Sequence, residues 1–202
     1  MIFEKILKKK NRTDLTIGIV GEVNAGKTTL ANRIGLDFAG KEVGKVSEIP
    51  HETKEVEKLE NVQFSAAGTE LNLNIVDTPG IASSVDFTEF MKHGLTRKQS
   101  IERAKAATKG VIKAIQALND LDAAIIVIDS SKSPFNQVNW TIIGNLQDKK
   151  IPMIVAANKT DLPGSNPQLV EELFDESQFI VSISALKGDG ISGLYKAIAA
   201  VE

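Results

Sequence analysis

The sequence predicts an α/β protein with a three-layer sandwich architecture. A mostly parallel six-stranded sheet with one antiparallel edge strand is expected between two layers of helices. Short, continuously apolar segments such as AAIIVID (123–129) and MIVAA (153–157) are typical of strands that are buried on both faces of a parallel sheet. These segments alternate with segments of helical periodicity along most of the chain, which is the pattern of an α/β fold.

The first part of the chain contains the single antiparallel pair. Gly68 and Thr69 form a short hairpin signal between the segments 61–67 and 70–77, so the strands on either side are expected to pair in opposite directions. The predicted elements are a strand at 15–20, a helix at 27–36, a long polar loop at 37–55, and strands at 61–67 and 70–77.

The second part of the chain alternates helices with buried strands. An irregular segment is expected first, and the helix after it is long and basic. The predicted elements are the irregular segment 81–96, helix 97–118, strand 123–129, helix 133–147, strand 152–158, helix 166–174, strand 178–184 and helix 190–201.

Composition excludes several classes of function. The chain has 202 residues and a net charge of −2. Because it has no cysteine, disulfides, thiolate metal sites and a cysteine nucleophile are excluded. Its apolar runs are too short to cross a bilayer. The sequence therefore predicts a soluble, cytoplasmic protein with a basic lead-in at 1–12 and one domain at 13–202.

The lead-in itself has two readings. Apolar and basic residues in MIFEKILKKKNR (1–12) can share a helix, which would suit a peripheral membrane contact or a partner. The reading that we favour is a solvated segment before the first strand, because chain termini are commonly mobile.

The segment GEVNAGKT (21–28) fits the phosphate-binding pattern G-x-x-x-x-G-K-[ST], and a strand precedes it and a helix follows it. In such a loop the backbone N–H groups surround phosphate oxygens. Lys27 would neutralise the β- and γ-phosphates, and the Thr28 hydroxyl would bind Mg²⁺. A glycine-rich turn with an incidental lysine is the alternative. The residues expected to contact nucleotide here are Glu22, Val23, Asn24, Ala25, Gly26, Lys27, Thr28 and Thr29.

The segment NIVDTPG (74–80) ends the third predicted strand. Asp77 lies where a carboxylate can reach Mg²⁺ through water, and Gly80 lets a backbone N–H approach the γ-phosphate. By itself DTPG also fits an ordinary turn.

Two later segments point to a guanine base. In NKTD (158–161), Asp161 can accept hydrogen bonds from the N1–H and the exocyclic amine of guanine, a donor pattern that adenine lacks. Asn158 would meet the other edge of the ring, and Lys159 would lie over the base. In SALKG (184–188), the Ala185 N–H would meet the guanine oxygen, although a loop and helix cap is an equal alternative. The contacts expected from this loop are Ser184, Ala185 and Leu186.

The four segments, in this order, resemble the translation-factor-related class of P-loop GTPases, which have the small G protein fold. The closest resemblance is to the Era/MnmE/EngA-like group. It implies binding of GTP and GDP with Mg²⁺, hydrolysis of GTP, and a role as a molecular switch. It also implies a first-switch threonine that binds Mg²⁺ in the GTP state, and Thr53 is the residue that fits. The residues with predicted catalytic roles are Lys27, Asn24, Thr53 and Gly80.

Ras-like relatives orient the attacking water with a glutamine directly after the DTPG position, and in this chain that position is Ile81. The resemblance to the Era/MnmE-like group implies that Asn24 is a ligand for K⁺. The cation would neutralise phosphate charge at the place where an arginine finger otherwise would. The alternative is that Asn24 only stabilises the loop.

The partners remain open. The switch regions, 37–58 and 80–97, would contact an unidentified protein effector, or a second copy in a homodimer. The segment 81–120 is either a partner surface or an elaborated loop with a packing helix. Era-like proteins commonly continue into an RNA-binding domain, and no such domain is expected within this sequence. A nucleotide-binding assembly or membrane-system module with negligible turnover is the alternative function.

Overall fold

The computed structural model of the protein describes residues 14–44, 56–81, 91–92, 94–174 and 179–200. Within these residues the chain alternates strands and helices as the periodicity predicts. The strands are β1 (Asp14–Gly21), β2 (Glu57–Ala66), β3 (Thr69–Asp77), β4 (Ala123–Asp129), β5 (Met153–Asn158) and β6 (Phe179–Ser182). The helices are α1 (Lys27–Ala39), α2 (Arg97–Ala117), α3 (Gln137–Asp148), α4 (Gln168–Glu171) and α5 (Ile191–Ala200), with a 3-10 turn at Leu118–Asp120.

The six strands form one sheet in the order β2-β3-β1-β4-β5-β6. Only the edge pair β2 and β3 is antiparallel, and every other neighbouring pair is parallel. The predicted sheet is therefore confirmed. Because β1, β3, β4 and β5 run in the same direction, their carboxyl ends lie along one edge of the sheet, where ligands of open α/β sheets bind.

The core consists of two apolar layers, one on each face of the sheet. On one face, β1 packs against α1 and α5 through residues such as Ile19, Leu30 and Leu194. On the other face, Ile126 and Ile142 belong to the cluster that joins β4 to α3. All residues of β4 and β5 are buried, which explains their unbroken apolar sequences.

Several element bounds differ from the predicted ones for local reasons. Helix α3 begins at Gln137 rather than at 133, because the Asn136 side chain accepts a hydrogen bond from the Asn139 N–H at 3.0 Å and caps the helix there. The helix predicted at 166–174 is one short turn, α4. Strand β2 begins at Glu57, four residues before the predicted start, and its register shifts between Leu59 and Val62. That irregularity breaks the alternation on which the sequence prediction relied.

Among the described residues, no helix combines the length and the apolar character that crossing a bilayer requires.

Candidate nucleotide-binding site

The phosphate-binding loop connects β1 to α1 at the carboxyl edge of the sheet. Gly26 caps α1 with a φ of 98°, a left-handed conformation that favours glycine. A Cβ on Gly26 would overlap the Asn158 side-chain amide, so a larger residue does not fit. Asn24 also has a left-handed backbone, with a φ of 60°, and is exposed at the tip of the loop. Asparagine tolerates this conformation better than most residues.

Lys27, the first residue of α1, is a buried cation. Its side chain is 6 % exposed, and Nζ donates a hydrogen bond to the Glu22 carbonyl at 2.8 Å. Burial lowers the pKa of Lys27 to about 8, although the negative charges of Asp77 and Glu22 act in the opposite direction. A buried ammonium group at the end of a phosphate loop is suited to an anionic ligand, which would restore its charged form.

Asp77 ends β3 next to the start of α1. The Thr28 hydroxyl donates a hydrogen bond to Asp77 Oδ2 at 2.6 Å, and Asp77 is 0 % exposed. Burial raises the pKa of Asp77 to about 6, while the Thr28 hydrogen bond and the Lys27 charge lower it. Asp77 Oδ1 is buried and has no hydrogen-bond partner within the described part of the chain.

The Thr28–Asp77 pair fits Mg²⁺. A hydroxyl and a carboxylate are hard oxygen ligands of the kind that Mg²⁺ prefers. A buried carboxylate oxygen without a partner is costly, and a cation or its hydration water would satisfy it.

The DTPG segment lies directly against the phosphate loop. A Cβ on Gly80 would be 2.7 Å from Val23 Cα and 3.1 Å from Lys27 Nζ, so glycine permits this approach. The Ile81 N–H donates to the Gly21 carbonyl at 3.2 Å, and the Ile81 carbonyl accepts from Val23 at the same distance. Ile81 is 5 % exposed and packs in the core. Its side chain therefore has neither the chemistry nor the position to orient a water molecule.

The NKTD and SALKG segments meet at the carboxyl end of β5. Asn158 is 3 % exposed, donates to the Ala25 carbonyl at 2.8 Å and accepts from the Ala185 N–H at 2.9 Å. One buried amide thus joins the phosphate loop to the SALKG loop. The Ser184 hydroxyl donates to Asp161 Oδ1 at 2.7 Å, which orients the carboxylate expected to read the base.

Lys159 has a partner that sequence reasoning missed. Its Nζ lies 2.7 Å from Asp129 Oδ2, at the end of β4. Burial opposes ionisation of Asp129, but hydrogen bonds from Lys159 and Ser131 outweigh it and hold the pKa of this carboxyl below its usual range. The ion pair orients the lysine stem that would lie over a base. The available signal was a carboxylate at the carboxyl end of a buried apolar strand.

The structure brings the predicted phosphate, magnesium and base residues together at one edge of the sheet. Thr29 is half-buried at the start of α1. Leu186 is 67 % exposed, and its carbonyl accepts from Arg33 at 3.1 Å. Thr53 lies outside the described residues, as do the lead-in 1–12 and parts of both switch regions. Two further residues near the site were missed, Asn32 on α1 and Glu57 on β2.

A family model described as 50S ribosome-binding GTPase matches residues 16–159. The chain belongs to this family. GTPase Era of Clostridioides difficile is 29 % identical over 187 residues, which cover 90 % of this chain and 54 % of that protein. The tRNA modification GTPase MnmE of Thermotoga petrophila is 28 % identical over 206 residues, which cover 98 % of this chain and 39 % of that protein. The chain therefore spans about half, or less, of the length of these two relatives.

The solved structure of Era in complex with MgGDPNP and nucleotides 1506–1542 of 16S ribosomal RNA resembles this GTPase domain with a TM-score of 0.68 and 25 % identity. The likeness covers 93 % of this chain and 56 % of that one. The predicted fold and the predicted membership of the Era/MnmE group of GTPases are thus confirmed. The roles of single residues, and those of Mg²⁺ and K⁺, stay predictions.

Proposed function

We propose that this member of the GTPase family binds GTP and GDP with Mg²⁺, hydrolyses GTP to GDP, and acts as a molecular switch. The observation that carries the proposal is the buried group at the start of α1. Lys27, Thr28 and Asp77 combine a desolvated cation with a hydroxyl–carboxylate pair. This combination suits a nucleotide polyphosphate with its metal ion.

At the phosphate end, the residues have separate tasks. Lys27 binds the β- and γ-phosphates, and the loop N–H groups from Glu22 to Thr29 surround their oxygens. Thr28, and Thr53 from the first switch, would bind Mg²⁺ directly and Asp77 would bind it through water, and the ion would neutralise charge that develops on the phosphate oxygens. The Gly80 N–H binds the γ-phosphate, so the second switch responds to its loss.

At the base end, Asp161 selects guanine. Its carboxylate accepts from the Ser184 hydroxyl and retains acceptor capacity for the two donors of the guanine edge. Adenine presents no such pair of donors, which would leave this carboxylate poorly satisfied. Lys159 covers the base, and the Ala185 N–H, Ser184 and Leu186 complete the pocket.

For hydrolysis, Ile81 cannot orient the attacking water, and the contribution of Asn24 is to neutralise phosphate charge through a bound K⁺. The exposed side chain of Asn24 at the tip of the phosphate loop provides a neutral oxygen ligand for K⁺ beside the phosphates. The burial of Ile81 also favours a second candidate, a guanine-nucleotide-binding assembly module with negligible turnover. The two candidates differ only in the rate of GTP hydrolysis.

The partner is proposed to be a protein effector that contacts the switch regions 37–58 and 80–97, or a second copy of the chain. Membrane contact through residues 1–12 is the less favoured reading, and a cytoplasmic location follows from the favoured one.

A nucleotide screen tests the proposed function. The full chain should bind fluorescent GDP and GTP in the presence of Mg²⁺, and unlabelled ATP should not compete. Lys27→Ala should abolish binding, whereas Lys149→Ala removes an exposed lysine and serves as the matched control. Equal binding of ATP would refute the guanine assignment. Binding of GTP without phosphate release, in any salt, would favour the assembly module.

A further inference from the structure

Glu57 is the cross-strand neighbour of Asp77. It is the first residue of β2, and the antiparallel register pairs the two residues directly. Residues that face each other across an antiparallel pair project to the same side of the sheet. A second carboxylate therefore stands beside Asp77, on the side where Thr28 donates its hydrogen bond.

Neither carboxylate is fully satisfied. Glu57 Oε2 and Asp77 Oδ1 are both buried and without a hydrogen-bond partner among the described residues. Like charges directly opposite each other destabilise a sheet, and unpaired buried oxygens add to that cost. Burial is the main cause of the raised pKa of Asp77, and the nearby negative charge of Glu57 acts in the same direction. An arrangement of this kind is stabilised when a cation joins it.

The Glu57 carboxylate lies against Gly44, in the first switch region. A Cβ on Gly44 would overlap Glu57 Oε2 and would lie 3.2 Å from Thr28 Cγ2. The carboxylate thus packs on the glycine backbone next to the magnesium-binding threonine. Gly44 is itself fixed to α1, because its N–H donates to Asn32 Oδ1 at 2.9 Å and its carbonyl accepts from Asn32 Nδ2 at 2.7 Å.

We propose that Glu57 is a further acidic residue of the magnesium site, whose carboxylate adds a second negative charge beside Thr28 and Asp77. The proposal rests on the proposed function, since it concerns the same bound Mg²⁺. Mg²⁺ in nucleotide sites keeps several waters, and carboxylates near it bind directly or accept hydrogen bonds from those waters. Glu57 is therefore a positioning residue for the metal and has no role in contacting the nucleotide.

The test is the Mg²⁺ affinity of the GDP-loaded full chain, measured by calorimetric titration, with Mn²⁺ binding followed by EPR as a second readout. Glu57→Gln keeps the size of the side chain and removes its charge. Loss of one charge a few ångströms from a divalent ion should weaken Mg²⁺ binding about tenfold. GDP affinity measured in EDTA should not fall, because the substitution removes a negative charge near the phosphates and so cannot weaken their binding electrostatically.

Glu60→Gln makes the same charge change at an exposed position of the same strand, and it should leave Mg²⁺ affinity within about twofold because solvent screens the charge. Gly44→Ala displaces the Glu57 carboxylate and also crowds the Thr28 methyl group, so it should weaken Mg²⁺ binding at least as much as Glu57→Gln does, which keeps the test valid if Glu57→Gln folds poorly. Unchanged or tighter Mg²⁺ binding by Glu57→Gln, or by Gly44→Ala if Glu57→Gln does not fold, with normal binding by the unaltered chain, overturns this inference but not the proposed function. Absence of Mg²⁺-dependent GDP binding by the unaltered chain overturns the proposed function as well.

Discussion

The Asn158 side chain donates a hydrogen bond to the Ala25 carbonyl at 2.8 Å, although Asn158 ends β5 and Ala25 lies in the loop that follows β1. Its other amide atom accepts from the Ala185 N–H. The Asn158 side chain therefore connects the loops that are predicted to hold the phosphates and the base. A direct connection of this kind restricts the positions of the two loops relative to each other.

Asn158→Ala should destabilise the nucleotide-free protein. The substitution leaves the Ala25 carbonyl and the Ala185 N–H buried and unpaired, which costs roughly 2–5 kcal/mol of unfolding free energy. Urea unfolding in the absence of nucleotide measures this loss of unfolding free energy. Asn145→Ala removes an amide of α3 whose partner is near the surface, so its cost should stay at about 1 kcal/mol or less. Equal effects of the two substitutions would show that Asn158 does not connect the loops.

Asp161→Asn should exchange the base preference. An amide in place of the carboxylate no longer pairs with the guanine donors, so GDP affinity should fall on the order of a hundredfold or more. Xanthosine diphosphate should then compete effectively. Ser184→Ala removes only the hydroxyl that orients Asp161, so it should weaken GDP binding and keep the preference for guanine. If Asp161→Asn still prefers guanine, another residue reads the base.

Asn24→Gly should separate the two roles of this residue. Glycine accepts the left-handed backbone at φ 60° and removes the side-chain oxygen, whereas alanine would add strain. If Asn24 holds K⁺, the unaltered chain should hydrolyse GTP several-fold faster in KCl than in NaCl, and Asn24→Gly should remove the difference. Phosphate release at equal ionic strength is the measurement. Retention of the K⁺ effect in Asn24→Gly would leave Asn24 with a backbone role only.

Two glycine substitutions should have opposite effects. Gly26→Ala places a Cβ on the Asn158 amide and in a left-handed backbone at φ 98°, so it should destabilise the fold by more than roughly 2 kcal/mol. Gly144→Ala lies in the exposed face of α3 with open space around it, and should stabilise by about 0.5–1 kcal/mol. Thermal unfolding of both variants gives the signs. A neutral Gly26→Ala would contradict the close contact with Asn158.

Stability of the nucleotide-free protein should depend on pH through Asp77. Burial raises the pKa of Asp77 from 3.8 to about 6, so its neutral form is favoured in the folded state. Relative to neutral pH, protonation of Asp77 adds roughly 3 kcal/mol to the unfolding free energy below about pH 4, and this contribution is lost as the pH rises through about 6. The unfolding free energy of the unaltered chain should fall over this window relative to that of Asp77→Asn. Asp148→Asn, at an exposed position, controls for the charge change. Parallel pH profiles for the unaltered chain and Asp77→Asn would refute the burial effect.

Most of the fold was predictable because its signals are local. Strands β4 and β5 are buried along their whole length, and their apolar sequences indicate this directly. The bounds of β2 and α3 were less accurate. The bulge near Asn61 interrupts alternation, and the Asn136 cap competes with a continuous helical pattern. Hydrophobic periodicity along the sequence predicts neither the bulge nor the cap.

The sequence by itself predicted which residues meet at the candidate site. Gly26, Lys27, Asp77 and Asp161 lie at or just after the carboxyl ends of strands that run parallel in one sheet, and that topology places them along one edge. The tertiary structure alone decided which groups are buried and what they face. Asn158 joins two loops, Ile81 packs in the core, and Glu57 stands opposite Asp77 through an antiparallel register that a bulge shifts. Pairing across a sheet is a long-range relation, and burial sets the charge state of a carboxylate or an ammonium group, so neither can be read from neighbouring residues along the chain.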